Sequence, residues 1–111
     1  MKRAHPVSSQ TEAALQVLGV EIARGRRARR WTAAALAERA GISTVTLHNV
    51  EQGSATVAIG TVFELATLVG VALFGAADAG ALNDLRERSR LQLALLPSRI
   101  REPASDDDDN F

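Results

Sequence analysis

The stretch "TAAALAERAGISTVTLHNVEQG", residues 32–53, decides the fold, because it states one local grammar twice. Thr32 reads as an N-cap, Trp31 just before it can pack on Leu36 as a hydrophobic staple, and Gly41 stops the helix between them. Ser43 then caps a second helix, Ile42 can staple to Leu47, and Gly53 closes it. Two short helices joined by a tight, glycine-containing turn make a helix-turn-helix. Leu36, Ala40, Ile42, Leu47 and Val50 fill the seam between them. Ala37 is small so that the next helix can cross closely, and Gly41 turns at positive φ without a Cβ penalty.

These duties leave the outward residues of the second helix free. Thr44, Val45, His48 and Asn49 look built to touch something, and no acid or base of obvious catalytic use lies among them. The alternative is that these side chains are merely solvated, as on most short exposed helices.

Working outward, Ser9 followed by Glu12 forms a capping box that predicts a first helix from Gln10. Leu15, Leu18, Ile22 and Val17 recur at helical spacing, and the pattern fades in "RGRRARR", residues 24–30. On the other side a helix is expected from about Ile59 to Val69, ended by Gly70, and another within Leu82–Leu96, ended before Pro97. In "RLQLALL", residues 90–96, Leu91, Leu93 and Leu95 also alternate as in a strand, which leaves both readings open. Residues 57–77 are apolar enough to suggest a membrane span. Glu64 at the middle, the interrupting Gly60, Gly70 and Gly75, and the lack of a charged flank favour a buried helix and connector.

The expected fold is therefore all-α, with five helices. Residues 1–9 read as a disordered arm, 10–96 as the domain and 97–111 as a flexible acidic tail. At 111 residues and 46% apolar composition the chain suffices for one modest core. It has no cysteine, which excludes disulfides, thiolate metal sites and cysteine nucleophiles. The start "MKRAHPVSSQ" lacks an apolar signal core, so a cytoplasmic protein is expected. Its two histidines, His5 and His48, lie far apart in sequence, and neither a metal site nor a cofactor is expected. No pair of carboxylates near a histidine, phosphate-cradling loop or Ser/His/Asp set supports an enzyme.

The zero net charge conceals an asymmetry. Residues 1–60 carry eight Lys/Arg against four Glu, residues 61–105 carry five of each sign, and Asp106 to Asp109 add four negative charges. A basic half and an acidic end suggest a nucleic-acid partner on one side and an interaction tail on the other.

The stretch from Leu18 to Val71 resembles the XRE family of Cro-like and phage-repressor helix-turn-helix proteins. The spacing of Ala37, Gly41, Ile42, Leu47 and Val50, with "GIS" and the closing "EQG", carries the likeness. The resemblance implies a lambda-repressor-like domain with its third helix in the DNA major groove. Ser43, Thr44, Val45 and Asn49 would then face the bases, with His48 alongside. The chemistry fits, since Asn can bond an adenine edge through two atoms, Thr either base type, and Val can meet a thymine methyl. This helix carries no Arg or Lys, so the commonest guanine contact is missing and the expected bases lean towards A·T. The start of the second helix, Thr32 and Ala33, would lie against the DNA backbone. It further implies an ion pair between Arg26 and Glu51 that orients the reading helix. Arg27, Arg29 and Arg30 are candidates for phosphates, unless "RGRRARR" is only a solvated helix end. The loop "GSATVA", residues 53–58, has no basic residue, which leaves Ser54, Thr56 and backbone N–H groups for the backbone there. Expected partners are double-stranded DNA with a palindromic operator and a second copy of the chain; no membrane is expected. Leu82, Leu85, Leu93 and Leu96 form a stripe that serves either a dimer or the monomer core.

The end of the chain, Asp106, Asp107, Asp108, Asp109 and the terminal Phe111, reads either as a solubilising tail or as a handle for a basic, pocketed partner. This tail and "ATVAIGTVFELATLVGVALF", residues 55–74, resemble HipB-type antitoxins, which are encoded beside HipA-type kinase toxins. That resemblance implies a repressor that binds its own operator and neutralises the kinase. The alternatives are a stand-alone repressor, or an adaptor that has lost DNA binding.

Overall fold

A computed structural model describes residues 6–102. Met1 to His5 and residues 103–111 lie outside the described residues, and with them the first part of the expected arm and the acidic run Asp106–Asp109 with Phe111. The described residues form five α-helices and no strand: α1 (Ser9–Ala28), α2 (Ala33–Ala40), α3 (Thr44–Glu51), α4 (Ile59–Leu68) and α5 (Ala79–Ala94). A 3-10 turn, Leu73–Gly75, follows α4. The chain divides after Ala77 into two compact units.

In the first unit, α1 and α2 each pack against both α3 and α4. The core is Ile22 of α1, Leu36 and Ala37 of α2, Leu47 and Val50 of α3, and Val62, Leu65, Ala66 and Val69 around α4. Leu18, Trp31, Ala40 and Ile42 pack at its margin, half-buried. Phe63 and Phe74 meet edge to face, with ring centroids 5.9 Å apart.

All four helices of this unit end in the same way. After α2, Gly41 N–H donates to Glu38 O and Ile42 N–H to Ala37 O; the pattern repeats with Gly53 and Ser54 after α3, and with Gly70 and Val71 after α4. This is the Schellman arrangement, which needs a left-handed residue just past the helix and so favours glycine. After α1 the left-handed residue is Arg30, at φ 58°, with Arg30 N–H donating to Arg27 O and Trp31 N–H to Arg26 O.

Two helix starts differ from expectation. The cap of α1 is Ser8, not Ser9: Thr11 N–H donates to Ser8 Oγ at 3.2 Å, and Ser8 Oγ donates to Thr11 Oγ1 at 3.1 Å. Ser9 is thereby already helical, which puts Glu12 one position too far along for a capping box. α1 also does not fade in "RGRRARR" but runs through it to Ala28. Arginine is a good helix former, and Arg26 and Arg27 suit the negative end of the helix dipole.

In the second unit, α5 begins three residues earlier than expected, capped by Asp78 Oδ1, which accepts from Ala81 N–H at 2.8 Å. It continues through Ala94, which resolves the 90–96 ambiguity as helix followed by a turn. No residue of α5 is buried. Among the described residues, no helix is long and apolar enough to cross a membrane.

Candidate nucleic-acid interface

α3 is held from beneath and open above. Leu47 and Val50 point into the core at 0% and 3% exposure, while Thr44, Val45, His48 and Asn49 are exposed. Val45 is 67% exposed. The four outward residues occur at helical spacing, so they share one side of a helix only eight residues long.

Ser43 differs from these. Its hydroxyl accepts from Thr46 N–H at 3.0 Å and donates to Thr46 Oγ1 at 3.0 Å, so both functions are spent on capping α3. Thr32 caps α2 by accepting from Ala35 N–H at 3.0 Å, which leaves its hydroxyl proton available. Beside it, Ala33 N–H is one of the first-turn donors that no helix can satisfy internally. The two together suit an anion such as a phosphate. Ser54 and Thr56 hydroxyls lie 3.0 Å apart, and Thr56 N–H donates to Ser54 Oγ at 3.3 Å, which stiffens the loop after α3.

The orientation of α3 is fixed by one bidentate ion pair. Arg26 Nε donates to Glu51 Oε2 at 2.8 Å and Arg26 Nη2 to Glu51 Oε1 at 3.1 Å; Nη1 reaches Trp31 O at 3.1 Å. The side chains are only 12% and 11% exposed. The hydrogen bonds to Glu51 push the Arg26 guanidinium above its ordinary pKa despite its partial burial. A single side chain of α1 thus ties the end of α3 to the turn that precedes α2.

Two glycines of α1, unremarked in the sequence reading, set how closely the other helices approach. A Cβ on Gly19 would lie 2.6 Å from Val50 O and 2.7 Å from Glu51 O. One on Gly25 would lie 2.7 Å from Val69 O. In the sequence they show only as interior glycines that cost helix propensity, with no sign of what they accommodate.

The arginines separate into two kinds. Arg29 donates from Nη1 to Val69 O at the end of α4 and lies over the Trp31 ring at 5.7 Å, so it is engaged by the protein itself. Arg39 stacks on the same ring at 4.2 Å. Arg27 and Arg30 are exposed, and Arg27 lines a cavity of about 250 Å³ together with Arg24, Glu51 and Gln52 beside the end of α3. Among the described residues no group of three His, Cys, Asp or Glu could hold a metal ion.

A capped helix with an unburied polar face, short and locked over its neighbour, is the reading element of a helix-turn-helix. The family model described as helix-turn-helix domain matches residues 17–73. The chain belongs to the helix-turn-helix domain family. No curated protein and no solved structure matches it. The helix-turn-helix domain runs from Val17 in α1 to Leu73 in the 3-10 turn, and so takes in the later part of α1 and the whole of α2, α3 and α4. It is a DNA-binding domain, and the Arg26–Glu51 pair and both helix-spacing glycines lie inside it.

Proposed function

We propose that the chain is a sequence-specific transcriptional repressor of the XRE kind that binds a palindromic operator as a homodimer. The observation that carries this reading is the two-sided α3, with Leu47 and Val50 buried and Thr44, Val45, His48 and Asn49 exposed over a rigid base. In this reading Asn49 bonds an adenine edge, Thr44 bonds a neighbouring base and Val45 packs on a thymine methyl, with His48 beside them. Ser43 serves the cap. Thr32 and Ala33 at the start of α2, with Arg27 and Arg30, hold phosphates, and Ser54 and Thr56 shape the loop on the other side. Arg29 stabilises the domain instead.

The finer reading makes this repressor the antitoxin of a HipA-type kinase. It is supported by the acidic tail, Asp106, Asp107, Asp108, Asp109 and Phe111, and by the apolar run 55–74. Co-purification from the native host tests it: a kinase-sized protein retained by the full chain and lost by a chain ending at Ser105 supports the antitoxin. Recovery of operator DNA alone by both chains makes this a stand-alone repressor.

DNA reading is tested with Asn49→Ala in fluorescence anisotropy. Specific binding weakens by about 1–3 kcal/mol while non-specific binding is retained. Equal loss on all sequences would give Asn49 a backbone or folding role. Absence of any salt-sensitive duplex binding by the unaltered chain would make this an adaptor.

A further inference from the structure

Among the described residues, half of the large exposed apolar side chains fall in residues 82–100. Leu82, Leu91, Leu93, Leu95, Leu96 and Ile100 are 37%, 66%, 69%, 85%, 63% and 85% exposed, and α5 has no buried residue at all. On a helix advancing 100° per residue, Leu82, Leu85, Ser89, Leu93 and Leu96 fall within roughly 80° of one another, one continuous stripe. Leu96 continues it past the end of α5, in a turn where Leu96 N–H donates to Leu93 O at 3.0 Å.

The stripe is symmetric along its length. Leu82 and Leu96 stand equally far from Ser89, as do Leu85 and Leu93. We infer that a second copy of this chain covers the stripe, with the two α5 helices antiparallel and their two-fold axis passing at Ser89. Leu82 then packs near the partner's Leu96 and Leu85 near the partner's Leu93, while the two small serines let the helices approach at the centre.

Charge selects the antiparallel sense. From its cap at Asp78 to Glu87 the helix carries Asp78, Asp84 and Glu87 against Arg86, a net −2, and from Arg88 to its end at Ala94 it carries Arg88 and Arg90, a net +2. An antiparallel pair lays the acidic half of each helix along the basic half of the other and opposes the helix dipoles; a parallel pair sets like against like. The area suits a weak, reversible pair. Leu85 is half-buried and Leu82 only 37% exposed, against 69% for Leu93 and 63% for Leu96. At roughly 90 Å² apiece the four leucines of both copies give about 700 Å², and the stems of Arg86 and Gln92 at the edges carry it to about 900 Å², the range of weak interfaces. So small a seam predicts a dimer that dissociates on dilution.

This inference rests on the dimeric reading above and names the surface that serves it. It is tested without DNA, so that its failure is separable from a failure of DNA reading. The chain contains no cysteine, which makes single thiol variants unambiguous. S89C and L82C are prepared in the full chain and oxidised across a concentration series. Neither side chain is buried, so both variants keep the helical circular dichroism of the original chain. The antiparallel seam predicts a disulfide-linked dimer for S89C, formed more fully as concentration rises, and none for L82C alone; a mixture of L82C and L96C links. Linkage of both S89C and L82C on their own would establish a parallel pair and overturn the inference. Linkage of neither, with a monomeric mass at every concentration, would also overturn it.

Discussion

Replacing Gly19 by alanine sets two effects of opposite sign against each other. Alanine in the middle of a helix is favoured over glycine by about 1 kcal/mol, so propensity alone predicts stabilisation of α1. Against this, the new methyl would lie 2.6 Å from Val50 O and 2.7 Å from Glu51 O, and ordinary contact begins at 3.4 Å. Both obstacles are backbone atoms of α3, which cannot swing aside as a side chain can. The end of α3 must withdraw by roughly 0.8 Å, although Val50 anchors it in the core and Glu51 is paired with Arg26. Overpacking of this kind costs about 1–3 kcal/mol, and the contact with two carbonyls belongs near the upper end. The net expectation is a loss of about 1–2 kcal/mol, or roughly 5–15 °C in the thermal midpoint of a domain this size. Thermal unfolding followed by circular dichroism measures it, and DNA affinity should fall as well because α3 carries Asn49. An increase in the midpoint would refute the reasoning, since it would mean that propensity outweighs the close approach.

Two other substitutions probe the same frame. Glu51→Ala leaves the Arg26 guanidinium little exposed with only Trp31 O as a partner, and should cost about 2–3 kcal/mol in urea unfolding, less than for a fully buried pair. In a double-mutant cycle with Arg26→Met the two losses should fall well short of additive; simple additivity would mean the pair carries no coupling. Arg30→Gly relieves a left-handed backbone at φ 58° and should stabilise the domain by about 0.5–1 kcal/mol. The same change should weaken binding to all duplexes alike and flatten the salt dependence by about one ion. A lower midpoint would sink the strain argument, and unchanged affinity would remove Arg30 from the phosphate set.

How far the structure could be read in advance varied with the kind of signal. The boundaries of α2 and α3 were legible because Thr32, Gly41, Ser43 and Gly53 each act within a few residues of themselves. The start of α1 slipped by one residue because Ser8 and Ser9 are equally good caps, and only the reciprocal bond with Thr11 separates them. α5 was located too late because Asp78 precedes small residues that carry no periodic pattern. In the candidate interface, the outward side of α3 followed from knowing its inward side. Arg29 could not be told from Arg27, since only the fold brings Val69 O within its reach from forty residues away. Gly19 and Gly25 were opaque for the same reason: what they accommodate is the end of a different helix.

The identical stops after α2 and α3 limit each helix to eight residues, so α3 is about 12 Å long, close to the width of the groove it would enter. At 3.4 Å per base pair, a rod of that length can inspect roughly four base pairs. A four-letter word recurs by chance about once in every 256 positions, far too often to mark one site among the millions a genome offers. Two such words at a fixed separation recur about once in 65,000. Half of the address in such an operator would then count only when the distance between two readers is right, which makes the geometry that joins them as much a part of the code as Asn49.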